Sequence, residues 1–228
     1  YNEEDFVDNY NVKFYFTRGG YFKKLTLTSL RGADEQKLKD GDEIAQVTDG
    51  ENISELLFVS DKQRIYRTKA SDFDTCKASA LGDYIPAKLG FEKDEKAIAM
   101  DVDTKFDSKH FVIYIFENGK GVKLPLSLYE TKTPRKKLVA AYSAASPIVA
   151  AFFVSENEDI ILVNSQNKAI VINTKLIPEK ATRTAGGVTL FTLKNDQTIT
   201  VASRDIENFA GSARCRKIKI PASGTALD

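Results

Sequence analysis

Hydrophobic and polar positions along this chain follow one pattern that occurs four times. Each copy has an apolar, aromatic-rich run, then a short turn, and then a second run in which apolar and polar residues alternate. Two such runs around a turn predict a β-hairpin. The copies lie at residues 13–30, 56–73, 111–129 and 160–177. A spacing of roughly 40–55 residues is typical of propellers and solenoids, whose units cannot bury an apolar face alone.

The segments between the hairpins predict a third strand for each repeat. Examples are EIAQVTD, KAIAMDV and PIVAAFFVS, which are apolar at most or at alternate positions. The pairs Gly19-Gly20 and Asn118-Gly119 predict two-residue hairpin turns, because these residues tolerate positive φ angles. Three or four strands per repeat with little helix predict an all-β, toroidal architecture. A two-layer sandwich is the alternative, but it does not explain the repeat.

The repeats predict one domain that spans residues 1–228. Its four units are expected at about 13–54, 55–109, 110–158 and 159–206, followed by a tail over 207–228. The alternating segment KIKIP in the tail predicts a strand that closes the assembly against the first repeat. Beyond that strand, the composition predicts a frayed end.

Composition indicates a soluble globular protein. The hydrophobic fraction is 42%, no apolar run is long enough to span a bilayer, and the N-terminal YNEEDFVDN is acidic, unlike a signal peptide. Cys76 and Cys215 are far apart, and with no secretory signal they are expected to be reduced and structural. The chain is therefore predicted to be cytoplasmic, with no membrane partner.

The net charge of +1 excludes a strongly basic protein, but the charges are segregated along the chain. The first half of each repeat is rich in Lys and Arg, and the linking half is rich in Asp and Glu. If the repeats stack, like halves fall together and produce one basic and one acidic zone. A local positive field matters more for a polyanion than the total charge. The alternative is that alternating charge only keeps the strands soluble.

Residues for catalysis or metal binding are poorly represented. His110 is the lone histidine and has no cysteine cluster near it, so a zinc site or a histidine-based triad has little support. Asp101, Asp103 and Asp107 are spaced as in a calcium loop, but Phe106 takes the place of the required glycine. The sequence predicts no catalytic residue, no metal site and no cofactor.

Two segments carry a resemblance to a known family. FTRGGYFKKLTLTSL and its echo IFENGKGVKLPLSLY, together with the RTAGGVTLFTL connection, resemble the C-terminal domain of the A subunit of bacterial type IIA topoisomerases, DNA gyrase and topoisomerase IV. The resemblance covers about residues 10–206. It implies a β-pinwheel, a propeller-like disc of four-stranded blades that exchange strands. Four clear repeats are fewer than the five or six blades expected, which implies either a degenerate fifth blade or a shorter disc.

The resemblance also implies a function. Such a domain binds and bends duplex DNA on a basic rim and presents DNA segments to the strand-passage core. The implied partners are double-stranded DNA, the N-terminal catalytic core of the same subunit and the ATPase B subunit, in the cytoplasm at the nucleoid. The fragment itself is expected to be an accessory domain of an ATP-dependent topoisomerase, without catalytic activity.

One loop departs from the gyrase pattern. Gyrase A subunits carry the run Gln-Arg-Arg-Gly-Gly-Lys-Gly, and in the matching loop at residues 29–37 only Arg31 and Gly32 agree with it. The departure favours a topoisomerase IV-like domain over one that wraps DNA tightly.

The DNA-binding candidates are the cations of the basic halves and of the connection near residue 183. Phosphate contacts by such residues position a duplex without reading its sequence. They are Arg18, Lys23, Lys24, Arg31, Lys62, Arg64, Arg67, Lys120, Lys123, Lys132, Arg135, Lys136, Lys137 and Arg183. The alternative function is a protein-interaction propeller that does not bind DNA.

Overall fold

The computed structural model describes residues 6–31, 35–133 and 135–228. These residues form the predicted all-β fold, with sixteen strands and two short α-helices, α1 (Leu27–Arg31) and α2 (Ile85–Lys88). The strands are β1 (Asn11–Thr17), β2 (Tyr21–Thr26), β3 (Ile44–Glu51), β4 (Glu55–Ser60), β5 (Ile65–Lys69), β6 (Asp83–Tyr84), β7 (Ala97–Val102), β8 (Phe111–Phe116), β9 (Lys120–Pro125), β10 (Lys137–Leu138), β11 (Ile148–Val154), β12 (Asp159–Asn164), β13 (Lys168–Asn173), β14 (Val188–Thr189), β15 (Ile199–Ser203) and β16 (Thr225–Ala226).

The strands form four antiparallel four-stranded sheets of one design. Their orders are β3-β1-β2-β6, β7-β4-β5-β10, β11-β8-β9-β14 and β15-β12-β13-β16. A hairpin is at the centre of each sheet, and the predicted third strand pairs with its first strand. The fourth strand is only two residues long and comes from the chain that follows. This donated strand confirms the strand-exchanged blades, and the described residues contain four such sheets and no fifth.

The chain packs as two compact units, Tyr1–Thr104 with Pro134–Val139, and Lys105–Thr133 with Ala140–Asp228. Unit 1 contains the first and second sheets, and unit 2 contains the third and fourth. The segment that includes β10 belongs to unit 1, although the chain on both sides of it belongs to unit 2. The assembly of all repeats into one domain stays a prediction.

The turns at Gly19-Gly20 and Asn118-Gly119 contain three residues rather than the predicted two, because β1 ends at Thr17 and β2 begins at Tyr21, while β8 ends at Phe116 and β9 begins at Lys120. The third turn residue has a left-handed backbone, with φ of 91° at Gly20 and 85° at Gly119. The Gly20 N–H donates to the Thr17 carbonyl at 3.0 Å and closes the turn. Glycine at this position removes the steric cost that a Cβ would bring.

Each unit has its own apolar core. In unit 1, Phe14 and Phe22 of the first sheet stack at 5.5 Å, and Phe22 meets Phe58 and Phe73 of the second sheet's repeat at 5.8 and 4.6 Å. In unit 2, aliphatic side chains of the third and fourth sheets pack together in the same way. Sheet faces that are covered on both sides explain why the first strands are apolar at almost every position.

The tail differs from the prediction. KIKIP, at residues 217–221, has bends rather than strand backbone, and Ile218 within it is 81% exposed. The strand of the tail is β16, which pairs with β13 of the fourth sheet. Cys215 and partly buried side chains of the tail cover a second apolar face of the fourth sheet, formed by Ile161, Val163, Ala169 and Val171. The end is not frayed, because β16 is followed by a hydrogen bond from Leu227 N–H to the Asn167 carbonyl at 3.1 Å.

Candidate nucleic-acid interface

Strand exchange brings two distant basic segments together in the second sheet. β10 lies antiparallel to β5, with Lys137 opposite Tyr66 and Leu138 opposite Ile65. The Arg67 N–H also donates to the Lys136 carbonyl at 2.8 Å. The basic run that ends at Lys69 therefore lies beside the basic run at 135–137, although about 70 residues separate them in the sequence.

These strands line a groove of about 670 Å³ in unit 1, here named the basic groove. Its other wall is the C-terminal end of α2 and the residues that follow, Lys88 to Gly90. Six cations and two acids line it, namely Arg67, Lys69, Lys88, Arg135, Lys136 and Lys137 with Glu55 and Asp72. Such an excess of positive charge in a concave site attracts polyanions.

Few of the groove cations are neutralised locally. Arg67 pairs with Glu55 at 3.3 Å, and the Lys88 amine lies 5.3 Å from the Phe73 ring centroid. Among the residues that the structure describes, Lys88 and the exposed Arg135, Lys136 and Lys137 have no carboxylate within salt-bridge distance. Their charges are therefore available to a ligand.

A buried carboxylate joins the two walls of the groove. Glu95 is fully buried and accepts hydrogen bonds from the Tyr66 hydroxyl at 2.9 Å and from the Arg64 guanidinium at 3.1 Å. The Tyr66 ring, which lines the groove, stacks on Phe91 at 4.2 Å. Residues after α2 are thereby fixed to β5.

Protonation in this cluster follows from burial and hydrogen bonding. Burial opposes ionisation of Glu95, but hydrogen bonds from Ser60, Glu92 N–H and Tyr66 and the Arg64 charge outweigh it and hold the pKa of Glu95 below its usual range. Burial and the adjacent Glu95 raise the pKa of Tyr66 to about 12. Glu95 is therefore an anion at neutral pH and Tyr66 a neutral donor.

Three of the predicted contact residues, Lys23, Lys24 and Lys123, have buried side chains. The Lys23 amine donates to the Ala78 carbonyl at 2.9 Å, and the Lys24 amine donates to Asn52 Oδ1 at 2.6 Å and to the Ala70 carbonyl at 2.9 Å. Lys123 is 8% exposed, with its amine 5.6 Å from the Phe111 ring centroid. All three lie on the outgoing strand of a hairpin that has a strand on each side. Burial lowers the pKa of each amine.

The other predicted cations lie outside the groove. Arg64 is only 18% exposed at its side chain and pairs with Glu92 and Glu95, and the exposed Arg18 pairs with Glu43. Four more are exposed in a turn, in a loop, at the end of α1 or at the start of a strand, and one is half-buried. The exposed ones are Arg31, Lys62, Lys120 and Lys132, and the half-buried one is Arg183. Of the loop compared with the gyrase run, residues 32–34 lie outside the described part of the chain.

The prediction missed two groove residues. Lys69 belongs to the second basic run, with Lys62, Arg64 and Arg67, and its membership of that run is the signal that could have identified it. Lys88 stands in a segment without a basic run, and only the fold of α2 brings it to the groove. No sequence pattern marks such a residue.

Several cations of unit 2 are paired with acids. Arg204 donates to Glu158 at 2.7 Å, Arg216 donates to Asp159 at 2.9 Å, and Arg214 pairs with Asp228.

In the described part of the chain there is no cluster of three or more His, Cys, Asp or Glu that could hold a metal ion. Likewise, no helix there is long and apolar enough to cross a membrane.

Comparison with protein families and curated proteins identifies relatives. The family model for the DNA gyrase C-terminal domain, beta-propeller, matches residues 54–82 and 158–203. The DNA gyrase A subunit of Streptomyces coelicolor is 24% identical over 181 residues, which is 73% of this chain and 21% of that protein. The DNA topoisomerase 4 A subunit of Staphylococcus aureus is 22% identical over 210 residues, or 91% and 26%. The chain thus spans about a quarter of the length of these relatives.

Solved structures show the same fold. The C-terminal domain of DNA topoisomerase IV superposes with a TM-score of 0.72 at 19% identity, covering 86% of this chain and 62% of that one. The E. coli ParC C-terminal domain gives 0.57 at 12% identity, covering 84% and 78%. The DNA gyrase A C-terminal domain gives 0.53 at 14% identity, covering 88% and 66%. In sequence and fold the chain is therefore similar to the C-terminal domains of the A subunits of DNA gyrase and topoisomerase IV, the resemblance expected from its repeats.

Proposed function

We propose that this domain binds duplex DNA without sequence preference and bends it along a basic surface that includes the basic groove. The observation that carries the proposal is the convergence of six cations on one concave site from three separate segments of the chain. We expect these side chains to contact phosphate oxygens rather than base edges, and so to hold a duplex without reading its sequence.

Backbone electrostatics supplies the binding energy. Each phosphate that a Lys or Arg neutralises releases counterions, and the logarithm of the affinity falls with the logarithm of salt by about 0.9 per contact. Bending a short duplex costs roughly 1–6 kcal/mol, which several such contacts can offset. The binding is therefore expected to be strong at low salt and to weaken steeply as salt rises.

In the whole protein, the domain would present DNA segments to the strand-passage core of an ATP-dependent type IIA topoisomerase. The cleavage chemistry would reside in the N-terminal part of the same subunit, with an ATPase B subunit as the further partner, in the cytoplasm at the nucleoid. The loop at residues 29–37 lacks most of the gyrase run, which supports topoisomerase IV-like steering of DNA rather than tight wrapping.

Fluorescence transfer between the ends of a duplex tests this function. We would titrate the chain into a doubly labelled duplex of about 40 base pairs across a salt series, a length well below the DNA persistence length. Salt-sensitive binding with large end-to-end shortening is the expected result. Binding without shortening would leave only a tethering role. No binding at low salt would overturn the proposal and favour the protein-interaction scaffold.

A further inference from the structure

The four donated strands differ at one position. We count positions on each receiving strand from the left-handed residue of its hairpin turn, which is Gly20, Gln63, Gly119 or Asn167. When the printed register of the donated strand is continued by one residue in the first, third and fourth sheets, the incoming residue opposite the third position is a glycine. It is Gly82 in the first sheet, Gly187 in the third and Gly224 in the fourth. In the second sheet the third residue after Gln63 is Tyr66, and the incoming residue opposite it is Lys137.

At two of these glycines the incoming chain bends and comes close to the receiving strand. At Lys137 the incoming chain does not bend in this way. Gly82 and Gly187 have φ of 85° and 78°, and a Cβ on either would overlap a carbonyl oxygen of the receiving strand, that of Phe22 or Gly121. Lys137 has strand backbone and no positive φ. The chain therefore enters the second sheet by an extended path, with a charged side chain where the other entries have none.

The donated strand of the second sheet is also weakly anchored. β6 is followed by the fully buried Ile85, and β14 is followed by Leu190 and Phe191, which are 0% and 1% exposed. By contrast, Leu138 in β10 is only half-buried, and the next residue, Val139, is 56% exposed. Little apolar area within unit 1 thus holds β10 on β5.

Like charges face each other across this pairing. The Arg67 N–H donates to the Lys136 carbonyl, which places those two cations opposite each other at the end of β10, and Lys137 lies one residue further along. Like charges directly opposite on paired strands destabilise the pairing, and the surface pair of Arg67 with Glu55 at 3.3 Å offsets only part of that repulsion. A polyanion between them would remove the repulsion and favour the paired state.

We propose that β10 is a labile strand exchange that a bound polyanion holds in place against β5. Resting on the proposed function, we identify the polyanion as the phosphate backbone of duplex DNA. Closing β10 completes the basic groove, because Arg135, Lys136 and Lys137 line it only when the strand is paired. DNA therefore shifts the chain toward the closed exchange by its greater affinity for that state.

Amide hydrogen exchange in the intact 228-residue chain tests this proposal. The Arg67 amide, which donates to the Lys136 carbonyl, reports the β10 exchange. The Ile85 amide, which donates to the Gly20 carbonyl at 2.9 Å, is the matched reporter for the β6 exchange in the same unit. We expect Arg67 to exchange at least about tenfold faster than Ile85 in the free chain, as expected for local opening of one element.

Adding a 20-base-pair duplex should slow Arg67 and leave Ile85 unchanged. At a free duplex concentration of about 100 times Kd, mass action allows up to about 100-fold slowing if only the closed state binds. Fluorescence anisotropy of the labelled duplex in the same samples reports binding separately. Equal exchange of Arg67 and Ile85 in the free chain would overturn the proposal, and so would binding that leaves Arg67 unchanged.

A variant with Arg135→Gln, Lys136→Gln and Lys137→Gln sharpens the test. Without the repulsion, its Arg67 amide should exchange about two- to fivefold more slowly in the free chain. Duplex should then have no further effect on Arg67, and faster exchange in this variant would contradict the repulsion. If the wild-type chain binds no duplex by anisotropy, the proposed function fails together with the DNA part of this proposal. The free-chain comparison then still decides whether β10 is labile.

Discussion

Two outgoing strands in the same unit, β2 and β5, use equivalent positions in opposite ways. The third and fourth residues after the left-handed turn residue are Lys23 and Lys24 on β2, and Tyr66 and Arg67 on β5. Both lysines are at most 2% exposed and bind carbonyl or amide oxygens, whereas Arg67 lines the basic groove. The difference teaches that a basic strand becomes a binding surface only if its cations are not used inside the fold.

Removal of cations from the basic groove, which β5 lines, should have the largest effect on DNA affinity. A variant with Lys69, Lys88, Lys136 and Lys137 changed to Gln removes four groove cations. We expect its DNA affinity near 0.1 M salt to fall on the order of 1,000-fold, and its salt slope to fall by about 3.6, at 0.9 per contact. Titration of a labelled duplex across a salt series measures both.

The matched control changes four exposed lysines of unit 1 outside the groove. Lys39, Lys77, Lys93 and Lys96 changed to Gln remove the same total charge. If this control lost as much affinity as the groove variant, the groove would have no special role and only the net charge would matter.

On the β2 side, Lys24→Met should change stability and leave DNA affinity unchanged. The substitution leaves Asn52 Oδ1 and the Ala70 carbonyl without their buried donor. We expect the unfolding free energy to fall by about 2 kcal/mol, the usual cost of an unsatisfied buried group. Urea denaturation measures this change.

The control is Lys13→Met on the same sheet. The partner of Lys13, Asp49, is 84% exposed at its side chain, so the loss of this pair should cost less than about 1 kcal/mol. Lower DNA affinity in folded Lys24→Met would return Lys24 to the interface.

Lys23 on β2 and Tyr66 on β5 are each the third residue after the left-handed turn residue, and they should make the stability of the fold depend on pH in opposite ways. Burial lowers the pKa of Lys23 below its ordinary value of 10.5, so between the folded and unfolded pKa values the unfolded chain binds more protons. Stability from this group should therefore rise with pH up to about 10.5. The pKa of Tyr66 is raised from 10.0 to about 12, so stability from this group should be present below pH 10 and decrease between 10 and 12.

Denaturation of two variants over this pH range separates the two groups. Lys23→Met should remove the rise, and Tyr66→Phe should reduce the fall relative to the unchanged chain. Other buried tyrosines, Tyr114 and Tyr129, also have raised pKa values, so part of the alkaline fall should remain in Tyr66→Phe. An unchanged profile in both variants would contradict the burial of these groups.

The smallest effect is expected at the exposed edge of the Arg64 cluster. Glu92 is 63% exposed at its side chain, and its pair with Arg64 is at the surface. Exposed pairs contribute little, so Glu92→Gln should change the unfolding free energy by less than about 1 kcal/mol. DNA affinity should stay within about twofold, because the buried Glu95 still holds Arg64 away from a ligand. Clearly tighter binding in this variant would show that Arg64 is available to phosphate.

The hairpins and third strands could be predicted because their apolar alternation spans several residues and is bounded by turn residues. The donated strands could not, since two residues such as Lys137–Leu138 are too short to show a period. Burial of Lys23 was equally hidden, because it depends on carbonyls at Lys37 and Ala78 that arrive from other segments. The sequence therefore predicted a basic surface from its charge pattern. Which cations belong to that surface is decided by contacts between distant segments, which the sequence does not show.

The tail of the fourth sheet has a consequence for how arrays of this kind change length. Its buried Cys215 and neighbouring side chains already occupy the apolar face at Ile161, Val163, Ala169 and Val171. A new hairpin placed after β16 would find that face taken and would expose its own. Duplication or loss of a repeat is therefore easier to accommodate before β12 in the chain, because the tail then still covers the apolar face of the fourth sheet.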